Sequence, residues 1–204
     1  MSDSDDDTAR TDTADDGTPG AEVPDAPAGP TPRMLAWARN SAAWRISRKM
    51  MTERELSDAV SRKARQKFED IPEEHVALLA CAAVDFGRMA GAIDDANYAE
   101  VKTRSLTGSG RSRRMIARKL AEKGVGQELI AETLVDADDT DAAIIFARKR
   151  AFGPFRKVEP DQKRMTKELS AFARNGFSLA LARHVLEMDR DEAEEQLLGR
   201  HRLL

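Results

Sequence analysis

"LAEKGVGQELIAETL" (residues 120–134) and "FARNGFSLALARHVL" (residues 172–186) are two copies of one pattern, 52 residues apart. Leu120 matches Phe172, Gly124 matches Gly176, Val125 matches Phe177 and Leu134 matches Leu186. In each copy an apolar helical face ends at a glycine suited to the left-handed position after a helix, and an apolar residue follows before the next helix begins. Such a repeat means helix, turn, helix, twice over, with each unit too small to bury its own face alone.

Outward from this pair the apolar spacing stays helical from Arg33 onward, and alternating strand patterns are absent. A helix over 94–107 precedes the first copy and one over 139–152 the second. Segment 34–90 reads as a third, degenerate copy with helices near 34–50, 53–67 and 72–90. Its junction "RKARQKFEDIPEE" has no glycine. The fold expected is all-α: an elongated tandem array of three three-helix repeats, at 33–90, 91–137 and 138–190, with an extension over 191–204.

Two start signals fix the helix registers. In "MTEREL" Thr52 is the N-cap, Glu55 completes a capping box, and Met51 with Leu56 forms a hydrophobic staple. In "GAIDDANYAE" (91–100) Asp94 is the N-cap, Ile93 and Tyr98 form the staple, and Asp95 at the first helical position suits the helix dipole. Adjacent helical residues do not face one another, so Asp94 and Asp95 make a poor acid–base pair. Structural roles are expected for Ile93, Asp94, Tyr98, Leu120, Gly124, Phe172 and Gly176.

Composition excludes much else. Of 33 Lys and Arg and 36 Asp and Glu, residues 1–30 hold nine acids and one base, leaving 32 bases and 27 acids in the rest. A net −8 segment thus precedes a net +5 body. The segment, 1–32, has almost no large apolar side chain and is expected to be disordered. It could compete for the body's partner surface or serve only solubility. It is no signal or transit peptide, and no apolar run reaches the roughly 20 residues of a membrane span. A cytoplasmic chain is expected. Cys81, inside "VALLACAAV", excludes an intramolecular disulfide and is expected to be a buried, inert thiol. His75, His184 and His201 stand in no ligand or catalytic motif, so no catalytic residue, metal or cofactor is expected. "TGSGRS" lacks the phosphate-loop spacing and reads as a flexible connector.

That connector leads into "RSRRMIARKLAEKG" (111–124). On a helix starting near Arg111, residues Arg111, Arg114 and Arg118 share one face, flanked by Lys119 and Lys123, opposite Ile116, Ala117 and Leu120. Arginines in register suit phosphates or carboxylates, although an ordinary solvated face has the same pattern. "RISRKM" (45–50) and "ARKRAFGPFRK" (147–157) add bases interleaved with apolar and aromatic residues.

The order "GAIDDANYA" (91–99), Arg104, "GSG" (108–110), "IARKLAEKGV" (116–125) and "FARNGFS" (172–178) resembles the RecX family of recombination regulators, over roughly residues 33–190. The resemblance implies a non-enzymatic protein that lies in the groove of the RecA filament on single-stranded DNA. It would restrain filament extension, ATPase and strand exchange, and so modulate DNA repair, recombination and the SOS response. Arg111, Arg114, Arg118, Lys119 and Lys123 are the expected contacts, with Arg104 and Arg113 secondary. A monomer is expected, with room for weak direct binding to DNA. The competing reading is a helix-turn-helix-like transcriptional regulator.

Overall fold

The computed structural model describes residues 29–159 and 161–201, without the side chains of residues 200 and 201. The expected disorder of the acidic segment, up to residue 28, lies outside the described residues. Those described form ten α-helices, one 3-10 turn and no strand.

The first unit is α1 (Pro32–Ile46), α2 (Glu53–Lys67) and α3 (Glu73–Met89). Pro32 at the first helical position has no N–H to leave unpaired, and Thr31 Oγ1 accepts the Met34 N–H. Thr52 caps α2 as its sequence signal requires, and Met51 and Leu56 enter the same core. Leu56, Val60 and Ala64 recur every four residues and form the buried stripe of α2. They meet Ala38 and Ala42 of α1 and Val76, Leu79 and Ala83 of α3. The glycine missing from the α2–α3 junction is replaced by Asp70, whose φ of 49° puts a short polar side chain in the left-handed region.

The second unit is α4 (Asp95–Gly108), α5 (Arg113–Glu122) and α6 (Gln127–Thr133), around Tyr98, Ile116, Leu120, Val125, Ile130 and Leu134. The third is α7 (Asp139–Arg150), a 3-10 turn (Gly153–Phe155), α8 (Gln162–Arg174) and α9 (Leu179–Glu187), followed by α10 (Arg190–His201). Ala193 and Leu197 of α10 close its core. Phe146, Phe152, Phe172 and Phe177 stack there with ring centroids 5.0–6.5 Å apart. Phe152 and Phe155 therefore pack against the core instead of lining a basic surface.

The repeat pair is superposable in its hydrogen bonds. Gly124 (φ 87°) and Gly176 (φ 85°) both take the left-handed conformation. The Val125 N–H donates to Leu120 O at 3.1 Å and the Phe177 N–H to Phe172 O at 3.2 Å, closing both helices alike. The extensive helix pairings all lie within a unit or between successive units.

Two expectations are corrected. Ile93 and Tyr98 do not form a staple: Ile93 closes the first core and Tyr98 opens the second, because the unit boundary passes between them. Cys81 is exposed, not buried. It sits on the outer face of α3 with its Sγ 4.0 Å from Asp85, because "LLACAAV" buries Leu79, Ala80, Ala83 and Val84 and turns residue 81 outward.

Candidate partner-binding surface

The basic face of the second unit is anchored by the joints that hold the units together. Thr52 Oγ1 accepts the Glu55 N–H of its own helix and donates to Lys123 O, at the end of α5, at 2.6 Å. One unit on, Ser112 Oγ accepts the Met115 N–H and donates to Asn175 O, at the end of α8, at 2.6 Å. Both hydroxyls are fully buried. Beside each runs a second bond. The Glu53 N–H donates to Asp95 Oδ1 at 2.9 Å, and the Arg113 N–H to Asp139 Oδ1 at 2.6 Å. Each joint thus satisfies a free N–H at one helix start and a free C=O at another helix end.

The adjacent acids are thereby distinguished. Asp94 caps α4, its Oδ1 accepting the Ala96 and Asn97 N–H groups at 2.9 and 3.0 Å, while Asp95 holds the preceding unit. Asp138 and Asp139 divide the same two tasks at α7. Burial pushes the carboxyls of Asp95 and Asp139 above the ordinary range, and the backbone N–H each accepts opposes the rise. Gly124 and Gly176 sit in the joints. A Cβ on Gly124 would collide with the Arg54 side chain, and one on Gly176 would lie 2.6 Å from Ser112 Oγ.

On this frame the seven candidate bases do not form one surface of equals. The helix starts at Arg113 with Ser112 as its cap, so Arg111 lies in the connector, not on the helix face. Ser112 needs an extended backbone to cap, so the helix begins only two residues after Arg111. Gly110 next to it is buried against the backbone of α7, and Lys149 Nζ donates to Ser109 O at 3.0 Å, so the "TGSG" turn is a packed joint instead of a flexible connector. Arg114 and Arg118 do share a face, one turn apart, both exposed. Arg118 Nε pairs with Glu122 at 2.9 Å. Arg113 is exposed at the first helical position, and Arg104 is exposed on α4. Lys119 is half-buried in a small cleft with Tyr98, Lys102 and Leu106. Lys123 Nζ is bound to Glu55 at 2.6 Å across the first joint, and that pairing raises its pKa. Glu55 was expected to close a capping box; its carboxylate meets Lys123 instead.

Three features had no expected role. Glu168 is fully buried on α8, where Arg156 reaches it with Nε at 2.9 Å and a terminal nitrogen at 2.7 Å, and the Gly153 N–H donates at 3.3 Å. Trp44 is 56% exposed at the end of α1, with the Arg48 guanidinium 4.1 Å from its ring centroid. Arg88 forks onto Glu53 across α3 and α2. A bare arginine–aromatic alternation in "AAWRISRK" is the only hint of the Trp44 cluster in the sequence. Among the described residues no three His, Cys, Asp or Glu side chains are placed to hold a metal, and no helix is long and apolar enough to cross a membrane.

These features define a tandem three-helix array with hydrogen-bonded joints and arginines on its outer faces. Residues 94–134 match the family model for "RecX, second three-helix domain". The chain is 54% identical over 168 residues to regulatory protein RecX of Agrobacterium fabrum, covering 82% of this chain and 91% of that one. It is 43% identical over 103 residues to regulatory protein RecX of Myxococcus xanthus, covering 48% and 54%. The crystal structure of RecX from Lactobacillus salivarius has the same fold at 19% identity, with a TM-score of 0.56 over 81% of this chain and 97% of that one. A second RecX crystal structure gives 0.60 at 22% identity over 76% and 74%. The chain belongs to the RecX family of regulatory proteins.

Proposed function

We propose that this chain binds the RecA filament on single-stranded DNA and restrains its extension, ATPase and strand exchange, thereby modulating DNA repair and recombination. The observation that carries this is the pair of equivalent joints, Thr52–Lys123 and Ser112–Asn175, in a member of the RecX family. Joints of one geometry give successive units a fixed relation, which suits a ligand laid along a helical polymer. Its units run over 33–90, 91–137 and 138–190, followed by 191–204. Arg111, Arg114 and Arg118 are the principal contacts and Arg104 and Arg113 the secondary ones. Lys119 adds charge beside them, and Lys123 does so while paired to Glu55. The protein works as a monomer in the cytoplasm, with at most weak binding to bare DNA, since a body of net +5 offers little counterion release.

The helix-turn-helix reading has less support. A recognition helix offers its N-terminal residues to base edges, whereas the start of α5 is occupied by Asn175 and Asp139. Titrating the protein into RecA's single-stranded-DNA-dependent ATPase tests the proposal. Inhibition well below one copy per RecA, with weak binding to the same DNA alone, is expected. Tight binding to a preferred duplex without effect on RecA would overturn it.

A further inference from the structure

We infer that the groove between α1, α2 and the end of α5 is a seat for the chain's own acidic N-terminal segment, residues 1–28. The groove has a volume of about 580 Å³, and its cationic lining is Arg45, Arg48, Lys49, Arg62 and Lys123 around the exposed face of Trp44. Its own acids leave much of that charge unmatched. Glu55 is shared by Lys49 at 3.9 Å and Lys123 at 2.6 Å, while Asp58 pairs with Arg54 and Glu122 with Arg118. Among the described residues no carboxylate lies within ion-pair distance of Arg45, Arg48 or Arg62. Arg48 lies over the indole. Arg45 donates to Ser41 O at 3.1 Å and Ser41 Oγ at 2.7 Å, both neutral acceptors. Burial, and then the nearby charge of Arg62, lower the pKa of Arg45. Three cations without a counter-charge repel one another until an anion joins them.

The matching anion is in the same chain. Residues 1–30 carry nine acids against Arg10, a net −8 where the groove is in surplus. The tether allows it. The segment joins the body at Thr31, the cap of α1, and Trp44 lies about 20 Å further along that helix at 1.5 Å per residue. The nearer acidic cluster, Asp12, Asp15 and Asp16, ends fifteen residues before Thr31, a reach of up to about 50 Å when extended. A linked segment faces its site at an effective concentration in the millimolar range, an advantage no free polyanion has. Arginine forks then take carboxylates bidentately. The groove lies on the first unit and its joint and shares only Lys123 with the proposed RecA contacts, so the inference stands whether or not RecA is the partner.

Zero-length carbodiimide coupling of the full chain, read by peptide mass spectrometry, tests it without RecA. Carboxylates of residues 1–28 should couple to Lys49 and Lys123 in preference to Lys163 and Lys167 of α8. That preference should fall roughly fivefold or more when salt shortens the screening length to about 3 Å. The exposed double replacement Arg48→Glu, Arg62→Glu should abolish it, with helicity unchanged. Dilution should leave it constant, as for coupling within one molecule. Uniform coupling to all exposed lysines, insensitivity to the double replacement, or a preference that vanishes on dilution would each overturn the inference. A single-stranded oligonucleotide that protects Lys49 equally in wild type and in a chain with Asp12, Asp15 and Asp16 replaced by Asn would show that nucleic acid, not the segment, owns the groove.

Discussion

Asp95 Oδ1 accepts the backbone N–H of Glu53, 42 residues earlier, and so carries the start of α4 onto the start of α2. The bond recurs one unit later between Asp139 and Arg113. Both carboxylates sit at the first helical position, half-buried, beside an aspartate that caps its own helix. One aspartate of each pair therefore starts a helix and the other fixes a unit to its neighbour.

Removing that acceptor should loosen the joint without unfolding either unit. Asp95→Ala strands the Glu53 N–H and should cost about 1–3 kcal/mol in urea unfolding. Asp95→Asn keeps an acceptor oxygen and should cost less than half as much. Equal losses from the two replacements would mean that the charge, not the acceptor, holds the joint.

The same pair predicts a pH signature. Burial raises the folded-state pKa of Asp95 and Asp139 above the unfolded value. Their titration then contributes stability fully present below the unfolded carboxylate pKa and lost as pH rises through the raised folded value. The stability of Asp95→Asn relative to wild type should accordingly improve as pH rises through that interval. A difference independent of pH would contradict the burial of Asp95.

How much of this was legible follows from where the partner atoms lie. Thr52, Asp94, Gly124 and Gly176 bond within a turn of themselves, so local grammar found them. Thr52 and Ser112 also donate across 71 and 63 residues to backbone carbonyls, and a carbonyl has no sequence signature. Glu168 stands in no local motif, and only the fold brings Arg156, twelve residues away, onto it. Cys81 was misread because an apolar stretch nine residues long still has an outer face when it is helical. The Arg111 register failed by one cap: Ser112 looks equally at home inside a helix or just before one.

Gly176→Ala should weaken the second joint more than a helix-propensity change would. A side chain at φ 85° costs about 1–2 kcal/mol, and the added Cβ would displace Ser112 Oγ from Asn175. Combining it with Ser112→Ala in a double-mutant cycle should show strong coupling. Additive losses would mean the glycine matters only for its own backbone.

Glu168→Ala should be among the most destabilising single changes, about 3–5 kcal/mol, because Arg156 is then left largely buried without its counter-charge. Arg156→Ala should be comparably severe. Replacing both, Glu168→Leu with Arg156→Met, should recover much of the loss if the pair contributes little beyond mutual neutralisation. Failure to recover would assign the pair a positioning role at the 3-10 turn, through the Gly153 N–H.

The basic face yields the prediction that bears most directly on function. Arg111, Arg114 and Arg118 are all exposed, and Ile116 and Leu120 alone of their segment are buried apolar residues. Replacing the three arginines by Ala should leave helicity and urea unfolding within about 1 kcal/mol of wild type, since only the exposed Arg118–Glu122 pair is lost. Inhibition of RecA's ATPase should weaken at least tenfold, the sum of three modest charge-assisted contacts. Lys123→Ala is a poor substitute, because it also cuts the Glu55 pair across the first joint. Leu120→Ala supplies the contrast: it should cost about 2–5 kcal/mol of stability and reduce inhibition only as far as folded protein is lost. If the triple replacement inhibits as wild type does, the contact surface lies off α5, and Arg104 on α4 becomes the next residue to test.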